Sequence, residues 1–450
     1  MKLPEIRILI EQHLTKRDLV KCLQVCRSWY NLFIACIWES FQLDFRLIDG
    51  PQPRFIASYR HLIRSVAFFN IEERDLQDSG FPYPNLRSVS LHGRGRCFDG
   101  VFYASKSLLS LHPNVTHLNI VGVRVHHTAI TELQHLKHLQ LDDTRWSTDL
   151  PSFWTVCTRL ESLVVDRSIF MTLPRPGRGI TFPFLKSITL TRFIKFARLG
   201  KWPRLKELEL QGTHVKILSE DLMTLLNSFK RNVEVLHVAN SFLDMGAFEL
   251  LRKSFTSLTE LNLTHCRHVT DLMVREVMES CSNLTLLKAS KVQARVMVEG
   301  KPWVCKSLQT LGLYFIFAPE GGSPADELTL RNELHTRVFE RLSELRELET
   351  LVLGDTIEMW YQEWLGRLPQ RGLELRLDRG LGRLSTLDRL RCLYIDKTWQ
   401  LMEAKDYTWM LDHWPKLEVV DGRVNIDDWK ISSDFQSALR KKNEREYRRR

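Results

Sequence analysis

Leu258-Thr259-Glu260-Leu261-Asn262-Leu263-Thr264-His265-Cys266-Arg267-His268-Val269-Thr270-Asp271 runs directly into a segment, 272–281, that carries a second periodicity. Leu258, Leu261 and Leu263 follow the frame L-x-x-L-x-L, and the last two alternate with polar residues, as a strand with one buried face requires. Met273, Val274, Val277 and Met278 then recur at helical spacing. The same frame returns at Leu86/Val89/Leu91, Val115/Leu118/Ile120, Leu136/Leu139/Leu141, Leu160/Leu163/Val165 and Leu185/Ile188/Leu190. It continues at Leu205/Leu208/Leu210, Val233/Leu236/Val238, Leu308/Leu311/Leu313, Leu348/Leu351/Leu353 and Leu390/Leu393/Ile395, with weaker copies at Ile63, Leu284, Gln370 and Leu417. The first and last frames, at 63 and 417, enclose fourteen intervals of about 25 residues.

One such repeat cannot bury its own apolar face, whereas stacked neighbours share a continuous core. The period resembles that of leucine-rich repeats, and the 258–281 segment resembles their cysteine-containing subclass. The expected fold is therefore α/β, a leucine-rich-repeat solenoid (a curved horseshoe) over residues 61–425. Two stretches depart from the period. The 40-residue interval from 308 to 348 contains Ala318-Pro-Glu-Gly-Gly-Ser-Pro-Ala-Asp326, which reads as a projecting loop within an insertion near 318–346. Six of the twelve tryptophans, Trp360, Trp364, Trp399, Trp409, Trp414 and Trp429, lie after residue 359. A terminal cap over the last repeat is the favoured reading, and an aromatic docking patch is the alternative.

Residues 1–45 carry no repeat frame. Leu14 continues the stripe of Ile6, Leu9 and Ile10; Leu19, Cys22, Leu23 and Cys26 make a second stripe, and Trp29, Leu32, Phe33 and Cys36 a third. Thr15 with Asp18 has the spacing of a capping box. The run Leu3-Pro4-Glu5-Ile6, Ile10, Leu14, Asp18-Leu19, Val25-Cys26-Arg27-Ser28-Trp29 and Ile37-Trp38 resembles an F-box, with Ala35-Cys36-Ile37 where that family often has Asp-Pro before its final Leu-Trp. The resemblance implies a three-helix module that docks on the Skp adaptor of a cullin-based ubiquitin ligase. It would do so through Leu3, Pro4, Ile6, Ile10, Leu14, Leu19, Val25, Cys26, Trp29 and Trp38. An F-box followed by leucine-rich repeats is similar to the fungal members of that class. The implied organisation is an F-box over 1–45, a linker over 46–60, the solenoid, and a C-terminal basic tail over 426–450.

The chain has 450 residues, 44% apolar and 26% charged, with a net charge of +10, a composition that excludes wholesale disorder. No window supplies the ~18 apolar residues of a membrane span, and the charged start of the chain does not read as a signal peptide. Nine scattered cysteines fit a reducing compartment, so cytoplasm or nucleus is the expected location. Residues 440–450 hold seven Lys/Arg against two Glu, which is half of the net charge. That tail reads as a solvated, frayed end, with nucleic acid, an acidic partner or an import receptor as alternatives.

No phosphate loop, dinucleotide fingerprint, nucleophile elbow or zinc set is present, so no catalytic residue, metal ligand or cofactor is expected. The strand positions between the core residues line one face of the stack. In its middle, Asp142, Asp166, Glu207, Glu209 and Glu260 stand against Lys288 alone. Such a face repels nucleic acid and suits a basic or polar protein segment. The function expected is substrate recognition within an SCF-type (Skp–cullin–F-box) ligase. The alternative is a non-catalytic leucine-rich-repeat scaffold outside ubiquitination.

Overall fold

The computed structural model describes residues 13–44, 54–71, 83–93, 108–125, 130–146, 150–166, 181–190, 202–210, 219–228, 233–317, 324–354, 372–396 and 398–449. The chain forms two compact units, Met1–Leu205 and Lys206–Arg450.

The first unit begins with the helices Lys16–Leu23 and Arg27–Glu39. It continues as a parallel sheet with one main strand per repeat: Ser40–Asp44, Ser65–Ile71, Ser88–Gly93, His117–Val121, His138–Asp142, Ser162–Asp166 and Ser187–Leu190. The second unit repeats the plan with Glu207–Leu210, Val235–His237, Glu260–Asn262, Leu286–Gln293, Thr310–Ile316, Thr350–Val352, Cys392–Tyr394 and Val419–Asp421. In its register Leu208, Leu236, Leu261, Leu287, Leu311, Leu351, Leu393 and Val420 form one column, each at most 6% exposed. Burying each leucine of that column contributes about 1.5–3 kcal/mol, which is why these positions set the register.

Successive rungs are joined in a recurrent way just before each strand. The N–H groups of Arg87 and Ser88 both donate to the Arg64 carbonyl, those of Thr259 and Glu260 to the Glu234 carbonyl, and those of Glu349 and Thr350 to the Gln309 carbonyl. The returns include helices with one buried face. Met245–Arg252 is capped by Asp244 and buries Phe248 and Leu251; Asp271–Ser280 is capped by Thr270 and buries Met273, Val274, Val277 and Met278. This is the leucine-rich-repeat architecture that the period implies.

Four expectations change. The frame at Gln370 carries no strand in its described part, because the strands Thr350–Val352 and Cys392–Tyr394 pair directly with each other. The backbone of that segment is met by buried side chains instead. Gln400 accepts from the Leu375 N–H at 3.0 Å and donates to the Leu373 carbonyl at 2.8 Å, and Asp406 accepts from the Leu377 N–H at 2.8 Å. Second, Ser40–Asp44, assigned to the 1–45 module, is a strand of the sheet with no frame of its own, its buried apolar residue being Leu43. Within the 46–60 linker, Arg54–Tyr59 is helical.

Third, the 318–346 insertion contains the helix Pro324–Ser343, which buries Val338, Phe339 and Leu342; of the loop expected at 318–326, residues 324–326 open this helix and residues 318–323 lie outside the described residues. Fourth, the C-terminal tail is the helix Trp429–Arg449, seated through Phe435 and Leu439. Three of its side chains cover the carbonyls at the last rung. Gln436 donates to Val420 O at 2.9 Å, Asn443 to Glu418 O at 2.9 Å, and Lys442 to Trp414 O at 2.7 Å. A strand edge left open would template pairing with another chain, and this helix covers it. Trp414 is fully buried beneath, its indole N–H donating to Leu384 O at 2.9 Å. The favoured cap therefore holds for Trp414, whereas Trp429 is 79% exposed and Trp360 and Trp364 lie outside the described residues.

Candidate protein-interaction sites

The N-terminal helix pair offers the first surface. Thr15 and Asp18 close the capping box: the Thr15 hydroxyl donates to the carboxylate at 2.6 Å and accepts from the Asp18 N–H at 3.3 Å. That hydroxyl, with lesser help from Lys21, holds the Asp18 carboxyl below its ordinary range. The pair closes on itself through Leu19 and Phe33, which are 5% and 1% exposed, with the Trp29 ring edge-on to Phe33 at 5.6 Å. Outside this small core, Val20, Val25 and Trp29 are 46%, 63% and 36% exposed, and Cys26 is exposed beside them. Apolar side chains exposed together in one contiguous patch are a mark of a binding surface.

Two residues of the expected adaptor set face inward. Leu19 belongs to the helix-pair core. Trp38 is half-buried, stacked on Tyr59 at 4.8 Å and on Phe41 at 5.7 Å, while the Tyr30 and Tyr59 hydroxyls share a 2.7 Å hydrogen bond. Those contacts fasten the second helix to the first repeat, so Trp38 is an internal anchor. Leu14 is half-buried, and Leu3, Pro4, Ile6 and Ile10 lie outside the described residues.

The strand faces offer the second surface. In the first unit, Ser40, Ser65, Ser88, His117, His138, Ser162 and Ser187 form one outward column. The imidazoles of His117 and His138 stack at 4.2 Å. Burial first, and then the neighbouring His117, push the His138 imidazole below its ordinary value. Asp142 and Asp166 stand side by side in register at its edge, as the frame spacing implies.

In the second unit, Glu207 and Glu209 precede the rung of His237, and Glu260 follows it. His237 Nε2 lies 3.2 Å from a Glu260 oxygen without hydrogen-bond alignment, and Nδ1 lies 3.9 Å from a Glu209 oxygen. The position of His237 between two carboxylates depends on how far the side chains reach, which the frame spacing does not report. The register pairs His237 with Glu209 and Asn262, and Glu260 reaches it diagonally from the row of Val235.

Among the described residues, no group of three or more His, Cys, Asp or Glu is placed to hold a metal ion, and no helix is long and apolar enough to cross a membrane. The described cysteines are free thiols. No family model and no curated protein matches the chain. Among solved structures, an internalin from Listeria monocytogenes is similar at a TM-score of 0.41 and 14% identity, covering 81% of this chain and 88% of that one. The stacked parallel strands themselves define the fold class, a leucine-rich-repeat solenoid.

Proposed function

We propose that this chain is the substrate-recognition subunit of an SCF-type ubiquitin ligase, acting in the cytoplasm or nucleus. The N-terminal helices dock the Skp adaptor and, through it, a cullin. The strand faces hold a protein substrate, with Asp142 and Asp166 in one unit and Glu207, Glu209 and Glu260 in the other as substrate contacts. Such a subunit contributes positioning, and bond-making belongs to other members of the ligase. The observation that carries the reading is the exposure of Val25 and Trp29 on a helix pair whose own core is already closed by Leu19 and Phe33.

The test is co-precipitation of the full chain with the Skp adaptor. Val25→Glu combined with Trp29→Ala is expected to reduce adaptor capture at least about tenfold, since central aromatic anchors carry several kcal/mol of an interface. The melting temperature should change little. Trp38→Ala is expected to lower the melting temperature instead, because it loosens the helix from the first repeat. Adaptor capture that is absent from the parent chain, or that survives the double substitution, overturns the assignment and leaves a scaffold outside ubiquitination.

A further inference from the structure

The helix Pro324–Ser343 is held in two different ways along its length. Its second half is seated through Val338, Phe339 and Leu342, all fully buried, and the Ser343 carbonyl accepts from the Thr386 hydroxyl at 2.7 Å. Arg337 and Arg341 add donors to the Val298 and Gly300 carbonyls at 3.2 and 2.8 Å. The first half is held by polar groups instead. Leu328 is 53% exposed, while the Arg331 guanidinium meets Glu374 at 2.8 Å and lies over the Phe317 ring at 5.9 Å. Glu374 is buried, with Arg379 Nε 3.4 Å from its other oxygen. A buried ion pair of this kind contributes little net stability, because desolvation offsets the attraction.

His335 lies in the same junction, fully buried, its ring stacked on Phe317 at 4.0 Å. Its Nδ1–H donates to the Arg331 carbonyl at 2.8 Å, so in the neutral ring Nε2 is a bare acceptor, and no donor reaches it. Asn332 Oδ1 and Arg379 Nε are likewise buried without a hydrogen-bond partner. Each of these atoms finds a partner in water when the contact opens, so the closed form is penalised at this half of the helix. The titratable groups facing the imidazole are Arg331 on its own helix and Glu374 and Arg379 on the segment packed against it. A proton on Nε2 turns the bare acceptor into a donor without an acceptor, beside two guanidiniums and one carboxylate.

We propose that residues 328–336 form a latch, which detaches from Phe317 and Glu374 while the second half of the helix stays seated, and that proton uptake by His335 releases it. The open form uncovers Leu334, which is buried in the closed form, and the half-buried ring of Phe317. Burial pushes the imidazole down to about 4, whereas water in the open form returns it to the ordinary 6.5, so acid favours opening.

Amide hydrogen exchange of the full chain, read as protection relative to an unstructured peptide, tests the latch. At pH 7 residues 328–336 are expected to be less protected than residues 338–343. Between pH 7 and pH 5 their protection is expected to fall about tenfold or more while that of 338–343 holds. His335→Phe keeps a ring against Phe317 but removes the titrating group, and is expected to abolish the pH step. His335→Asn, which cannot titrate in this range either, gives a second reading of the same step. Glu374→Gln breaks the ion pair and is expected to lower the protection of 328–336 about tenfold or more already at pH 7, again sparing 338–343. Protection lost evenly along the helix, no fall by pH 5 in the parent, or a pH step that survives the His335 variants overturns the proposal.

Discussion

Glu161 occupies the position just before its strand, between the equivalent Lys137 and Lys186 of the neighbouring rungs, at 2.9 and 2.7 Å. Hydrogen bonds from these two ammonium groups hold its carboxyl down at about 2. His335 is a different case. It is fully buried, with Nδ1–H donating to the Arg331 carbonyl at 2.8 Å and the ring stacked on Phe317 at 4.0 Å, and burial pushes its imidazole down to about 4. In both cases the unfolded chain takes up protons at a higher pH than the folded one, so stability falls on acidification. The His335 contribution is complete above 6.5 and is lost as the pH falls to about 4; the Glu161 contribution is complete above 4.5 and is lost towards about 2. Thermal melts of the parent against His335→Asn should converge across the first window. Melts against Glu161→Gln should differ at pH 7 by no more than about 1 kcal/mol per ion pair and converge in the second. Curves that run parallel from pH 7 to pH 3 would show that neither group senses acid in the fold.

At the scale of the element, the C-terminal helix matters most because it covers a strand edge with side chains. Phe435→Ala removes a fully buried ring and is expected to cost about 3–5 kcal/mol in urea denaturation. Gln436→Ala and Asn443→Ala remove donors from the Val420 and Glu418 carbonyls and are expected to cost about 1–3 kcal/mol each. Light scattering should rise for Phe435→Ala as the edge becomes available to other chains. An unchanged urea midpoint for all three variants would mean that the helix is an ornament. This element was hidden in the sequence because its buried side consists of Phe435, Leu439 and polar donors, which hydropathy reads as a solvated charge run. The strand at Ser40–Asp44 was hidden for a related reason: Leu43 is its one fully buried apolar residue, and the frame requires three. The frame at Gln370 misled in the opposite direction. Leu373 and Leu375 are buried, but Gln400 and Asp406 take up the backbone bonds a strand would have made.

At the scale of the whole molecule, one column of aliphatic side chains keeps its register across a 40-residue interval between Thr310 and Thr350 and across a further interval of 42 residues to Cys392. That continuity was legible, because the frame L-x-x-L-x-L reports it whatever the length of the return. The candidate sites were less so. Spacing supplied the residues, but only the diagonal reach of the Glu260 side chain placed His237 between two acids, and only the packing against Tyr59 turned Trp38 inward. Each rung touches only its neighbours, so Leu351→Ala, expected to cost about 2–5 kcal/mol, should raise amide exchange first in the rungs of Leu311 and Leu393. Protection lost evenly through the chain would contradict that locality.

The parallel pairing of short rungs in the second unit also sets its response to force. Backbone hydrogen bonds between strands run along the stacking direction, and several of the rungs are three residues long. Tension along the stack therefore falls in full on every interface between rungs, where only a few bonds share it. Pulled this way, the second unit is expected to give way rung by rung, each step releasing one return of chain, so that it yields in small steps rather than in a single break.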